Sequence, residues 1–123
     1  LWYEAALPSR NAFCMRDTAH HASGAAALGL AAHTKNMLYQ FAKSISEERD
    51  WCGYWEITKD GLPCPEDYIS DSDFWYNFPG SFEIIIACWQ EYLRTGDTDY
   101  ITDPVFNRFY ELTCNGIRTV MAF

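Results

Sequence analysis

Two stretches of this chain are small or apolar around their whole circumference, and each is followed by a stretch that is apolar on one side only. The first reads Ala22-Ser23-Gly24-Ala25-Ala26-Ala27-Leu28-Gly29-Leu30 through its middle. The pattern predicts a helix from about Thr18 to Ala32, opening after Asp17, a good N-cap type. From about Thr34, the residues Met37, Leu38, Phe41, Ala42 and Ile45 form one apolar stripe opposite Lys35, Asn36, Gln40 and Lys43. That is an amphipathic second helix. A third helix is predicted after Pro79-Gly80-Ser81 and runs to about Arg94, with Gly96 placed to end it. Its Phe82, Ile84, Ile85, Ile86, Ala87, Cys88 and Trp89 are apolar on nearly every side, and its length and flanking caps favour helix over buried strand. A fourth takes Asp103 as cap and Pro104 at its first position, with a stripe of Val105, Phe106, Phe109, Tyr110, Ile117, Val120 and Met121.

A helix that is apolar on every side must be covered on every side. Two layers meet that demand, with helices one and three inside and two and four outside. The inner helices start about 64 residues apart, at Thr18 and Phe82, as in a repeated helical hairpin. The expectation is an all-α fold in which residues 1–123 form one domain of about two hairpins. Short connections lie near His33 and at Thr95–Thr102. The long one, Glu47 to Gly80, spans 34 residues and, with the lead-in, reaches the N-terminal ends of the inner helices. Long structured loops on a rigid scaffold are where sites usually sit.

That loop holds eight aromatics, Trp51, Tyr54, Trp55, Tyr68, Phe74, Trp75, Tyr76 and Phe78, together with nine carboxylates, among them Asp50, Glu56, Asp60, Asp67, Asp71 and Asp73. Sugar rings present apolar C–H faces rimmed by hydroxyls, which suit aromatic platforms edged by acidic acceptors. The competing reading is that these rings only pin the loop to the core. A net charge of −8 argues against nucleic acid and anionic membrane as partners. The longest apolar stretch, Phe82 to Trp89, contains Glu83 and is too short to cross a membrane, so a soluble chain is expected. The five cysteines form no CxxC pair, which argues against a zinc ribbon or redox motif, and Cys88 and Cys114 read as small buried hydrophobes.

Short motifs then carry a resemblance. Phe13-Cys14-Met15-Arg16-Asp17-Thr18, leading into a small-residue helix, resembles the Arg-Asp-Ser/Thr turn of glucoamylase-like six-hairpin glycosidases. Tyr54-Trp55-Glu56 looks like the Trp-Glu segment that carries their general acid, although Ile57 stands where a second Glu is usual and Met15 where Trp or Gly is usual. Thr95-Gly96-Asp97 with Tyr100 is similar to a turn between their hairpins. Phe74-Trp75-Tyr76-Asn77-Phe78-Pro79, entering an inner helix, is similar to bacterial members of the same clan. The resemblance implies an (α/α)6 toroid with its pocket where the inner helices begin. Six hairpins of this size need about 384 residues, so the chain is expected to be part of a ring, with helix three left open to the remainder or to self-association.

By position, the resemblance makes Glu56 the catalytic acid and puts Arg16 and Asp17 on the hydroxyls of the innermost sugar. A guanidinium and a carboxylate offer paired donor and acceptor edges suited to that role. His20, Trp51, Trp55, Trp75 and Tyr76 are expected to line the substrate site, and Glu4, Arg10 and Asn11 are further candidates. An apolar setting for Glu56 would keep it protonated near neutrality. The base would come from the far side of the ring. Arg16 with Asp17 could instead be only an ion pair and cap, and Glu56 a solvated loop carboxylate. Asp17, His20 and His21 lack metal-ligand spacing, and Asp67, Asp71 and Asp73 lack the Gly and terminal Glu of a calcium loop, so neither metal nor cofactor is expected. The functional expectation is a glycoside hydrolase using acid/base chemistry. The alternatives are an unsaturated-uronide hydrolase of the same fold, and a non-catalytic carbohydrate-binding module.

Overall fold

A computed structural model describes the chain from Leu1 to Met121, with side chains through Gly116. Ile117, Val120 and Met121 of the fourth-helix stripe therefore lie outside the described side chains. The elements run β1 (Ala12–Cys14), α1 (Met15–Ala27), α2 (Ala31–Lys43), a 3₁₀ turn (Glu47–Arg49), β2 (Glu56–Thr58), β3 (Tyr68–Ser70), β4 (Asp73–Phe74), α3 (Phe78–Thr95), α4 (Asp99–Thr102) and α5 (Pro104–Met121). The fold is mostly helical, with two small two-stranded sheets inserted in the lead-in and the long loop.

The helix ends follow from local chemistry. Helix α1 begins three residues before the expected start, and Cys14, not Asp17, occupies its N-cap position. The Met15 N–H donates to the Trp55 carbonyl at 2.9 Å, so strand-like pairing runs straight into the helix and no side-chain cap is required. Asp17 sits instead in the first turn, where its charge favours the positive end of the helix dipole. The break before α2 falls at Gly29, not near His33. Its φ of 78° is left-handed, and the Leu30 N–H returns to the Ala25 carbonyl at 2.8 Å. Helix α3 is capped by Asn77, whose side chain accepts the Gly80 N–H at 2.9 Å, and Gly96 ends it at a φ of 70°. Asp103 caps α5 as expected, accepting the Val105 N–H at 2.8 Å.

The strands depart from the all-α expectation. β1 pairs antiparallel with β2, setting Ala12 opposite Thr58, Phe13 opposite Ile57 and Cys14 opposite Glu56. β3 and β4 form a hairpin within the long loop. Each strand has three residues or fewer, too few for alternation to register in the sequence.

Helix α1 packs along α3 and α2, and α2 packs on α3 and α5, around a core of Met37, Leu38, Phe41, Ile84, Phe106 and Phe109. All-round apolarity is not matched by all-round burial. Ile86, Trp89 and Leu93, on one stripe of α3, are 55%, 55% and 63% exposed. Cys114 is exposed, contrary to its reading as a buried hydrophobe, and all five cysteines are free.

Met15 packs the start of α1 against the long loop and the start of α3. Met15 is fully buried, and a Cβ added to Gly53 would lie 2.8 Å from its Cε, while one added to Gly80 would lie 2.9 Å from its Sδ and 3.0 Å from Trp55 Cζ3. Both glycines are thus needed for close approach. Gly80→Ala should cost about 1–3 kcal/mol by overpacking, and Met15→Ala about 2–5 kcal/mol by opening a cavity. Combined, they should cost clearly less than the sum, because the missing thioether makes room for the added methyl. Urea melts showing strict additivity would contradict this packing.

Candidate functional site

Strand β2 carries the residues with the most chemistry. Its Trp55–Glu56 entry is held from both sides: β1 pairs on one edge, and the chain returns along the other after the Asp60-Gly61 turn. In that turn the Thr58 N–H donates to the Leu62 carbonyl at 2.8 Å, and the Cys64 N–H then reaches the Glu56 carbonyl at 3.0 Å. The β3–β4 hairpin segment then closes on itself, with the Trp75 N–H donating to the Asp67 carbonyl at 2.8 Å.

The result is a small, partly open chamber. Tyr54, Trp55, Glu56 and Pro63 line one side, and Asp67, Tyr68, Phe74 and Trp75 of the hairpin segment line the other. Its volume is about 10 Å³, enough for one water and too small for a sugar ring.

Charge is concentrated at this chamber. Glu56 is only 3% exposed, and Arg10 from the lead-in donates to its Oε1 at 2.8 Å. Asp67 lies within hydrogen-bonding range of Glu56, with its Oδ2 3.6 Å from the same guanidinium. That Oδ2 is buried and has no hydrogen-bond donor among the described residues. Burial, then the hydrogen bond and charge of Glu56, push the Asp67 carboxyl up to about 6. Protonation of Asp67 would give the pair a donor and remove the like-charge repulsion. Cys64 adjoins the pair. Burial and the two neighbouring glutamates raise its thiol to about 12, and it donates to Glu66 Oε2 at 2.7 Å. Donor atoms of Glu56, Cys64 and Glu66 all lie within 4.8 Å of one another, a spacing able to hold a cation, although Arg10 already occupies Glu56.

The other expected site residues divide into two groups. Arg16 and Trp55 come together: the guanidinium carbon is 5.7 Å from the indole centroid, and Arg16 Nε donates to Glu83 of α3 at 3.2 Å. Arg16 thus pairs with Glu83 rather than with Asp17. Trp75, 57% exposed, lines the chamber with Glu56, whereas Tyr76 is not among its lining residues: its ring meets Phe74 and Phe78 and its hydroxyl donates to Asp50 at 3.5 Å. His20 and His21 do not join them. They line a separate open groove of about 510 Å³ on α1 with Tyr3, Ser23, Gly24, Leu28 and Leu30. Trp51 is also apart, half-buried beneath Arg108, whose guanidinium carbon is 5.4 Å from its ring, and against Gly116 of α5.

Asp71, one member of the weak calcium-loop pattern, instead pairs at 2.8 Å with Arg49. Arg49 is buried, stacks 4.4 Å from the Tyr54 ring centroid and donates to the Ser44 carbonyl. The residue that sequence reasoning passed over is Asp67. The Asp-Gly turn at 60–61 is a hairpin signal that returns the chain beside Glu56, and it is what brings the second carboxyl within reach. No family model matches the chain, and no curated protein or solved structure matches it.

The charge balance gives a pH test. A raised carboxyl contributes stability that is complete below its free value, near 3.8, and is lost as pH rises through about 6. Arg10 offsets part of that loss. Arg10→Gln should therefore open a wider stability gap from wild type at pH 7.5 than at pH 5, read from urea melts. A gap of equal size at both pH values would show that Arg10 does not serve this cluster.

Proposed function

We propose that this chain is a two-hairpin portion of an (α/α) toroidal glycoside hydrolase, with Glu56 and Asp67 acting together as its proton donor. The observation that carries the reading is a carboxyl pair, Glu56 and Asp67, within hydrogen-bonding range of each other at an aromatic chamber, where burial and the neighbouring glutamate push Asp67 up to about 6. Arg16 and Trp55, beside the start of α1, supply the polar and flat surfaces a sugar would use. The exposed Ile86, Trp89 and Leu93 of α3 support the toroid, since the next hairpin would cover them as α1 covers the opposite flank.

The pair serves as one group. A retaining enzyme needs carboxyls about 5–5.5 Å apart and an inverting one about 6.5–9.5 Å apart, with room for water. Carboxyls in direct hydrogen bond span neither gap. Their proton would pass to the glycosidic oxygen as the C–O bond to the anomeric carbon breaks, leaving both carboxylates charged beside Arg10. Water would add to the anomeric carbon and surrender its proton to a base elsewhere in the ring, and the pair would be reprotonated from solvent.

The test is turnover in the intact toroid on oligosaccharides and on aryl glycosides with good leaving groups. Asp67→Asn and Glu56→Gln should each lower hydrolysis of natural linkages by about 10²–10⁴-fold, with a much smaller loss on the aryl glycosides. Wild-type rates in either variant, or equal losses on both substrate types, would sink the proposal.

A further inference from the structure

We propose that the cavity between the lead-in, the end of α2 and the turn after β2 binds a phosphorylated sugar, with Lys43 and Lys59 holding the phosphate. Acidic side chains outnumber basic ones 17 to 9 in this chain, and most of its cations are already answered. Arg10, Arg16, Lys35, Arg49 and Arg94 each pair with a carboxylate, and Arg108 lies over Trp51. Among the described basic side chains, Lys43 and Lys59 alone have neither a paired carboxylate nor a ring partner. They come from distant parts of the chain, the last turn of α2 and the residue after β2, yet both line one cavity of about 320 Å³. The negative end of the α2 dipole accounts for Lys43 taken singly, but Lys59 lies on no helix. A lone surface lysine needs no partner. Two that converge on one hollow, in a chain this acidic, mark a place for an anion.

The cations decide which anion fits. A planar carboxylate is matched by the fork of an arginine, whereas ammonium groups act as compact point charges and suit a tetrahedral dianion. Two lysines and no arginine line this cavity. A phosphate monoester carries a charge of about −1.5 to −2 near neutrality, close to what two lysines offset. The remaining walls select what the phosphate is attached to. Trp2 lies against Phe13, with ring centroids 6.3 Å apart, and gives an apolar surface for the C–H face of a sugar. Gln40 donates its Nε2 to Asn36 at 3.3 Å, which leaves its carbonyl oxygen to accept from a hydroxyl, as the Asp60 carboxylate also does. Asp60 repels an anion, so the hydroxyl end of the ligand belongs beside it and the phosphate beside the lysines. The volume suits one monosaccharide phosphate, at the lower end of roughly 300–1,000 Å³ for small-molecule sites. No residue lining this cavity lines the chamber of Glu56 and Asp67, so the site stands independently of the hydrolase reading.

Calorimetric titration of the full chain with glucose 6-phosphate, glucose and inorganic phosphate tests this. Glucose 6-phosphate should bind with a Kd of about 1 mM or tighter, and glucose and inorganic phosphate should each bind at least about tenfold more weakly. Lys43→Gln and Lys59→Gln alter exposed side chains that hold no other group, so both variants should fold as wild type does. Each should weaken glucose 6-phosphate binding about tenfold or more, since hydrogen bonds to a charged group are the strong ones. Trp2→Ala should weaken the sugar phosphate and leave inorganic phosphate where it was. No binding of glucose 6-phosphate at millimolar concentration would overturn the proposal. So would binding that survives replacement of both lysines, or inorganic phosphate that binds as tightly as the sugar phosphate. Those outcomes leave the Glu56–Asp67 acid untouched, and failure of that acid in the turnover test leaves this site standing.

Discussion

Met15 is where this structure is joined. Its N–H closes on the Trp55 carbonyl, and its side chain fills the space left open by Gly53 and Gly80, so the start of α1, the start of α3 and the entry to β2 meet at one buried thioether. A flexible, unbranched side chain suits a gap of that irregular shape. Because β2 is fixed there, Glu56 has no route to solvent, and its neighbours must answer for its charge.

They answer in two ways. Arg10 brings a permanent positive charge from the lead-in, and Asp67 brings a carboxyl that burial and Glu56 push up to about 6. The Glu56–Asp67 pair against one guanidinium is left with surplus negative charge, and the burial of Glu56 makes that surplus expensive. Retaining a proton is the least disruptive way to lower it. A raised carboxyl of this kind is what an acid catalyst needs.

The helices were legible because each carries its own punctuation. Gly96 and Asp103-Pro104 mark ends that local backbone chemistry dictates, whereas α3 starts at Phe78, ahead of the Pro79-Gly80-Ser81 expected to precede it, because Asn77 supplies the cap. Gly29 is punctuation of the same kind, yet the surrounding run of small residues masked it and displaced the expected break by several residues. The strands were invisible because their residues are set by pairing with distant segments, β1 with β2 above all, and not by any local period. The site was half legible. Trp55, Glu56 and Arg16 stood out as motif residues and do lie near one another, whereas Trp51 and His20 share their residue types but not their location. Asp67 was hidden among nine loop carboxylates, since only the return of the chain after Asp60-Gly61 distinguishes it from Asp71 or Asp73.

The raised Asp67 carboxyl beside Glu56 is read directly by carbon-13 NMR of the aspartate carboxyl carbons. Asp67, assigned by its disappearance in Asp67→Asn, should titrate at about 6. Removing the neighbouring charge with Glu56→Gln should bring that midpoint down. An Asp67 carbon that titrates in the ordinary aspartate range near 3.9, unmoved by Glu56→Gln, would contradict the account.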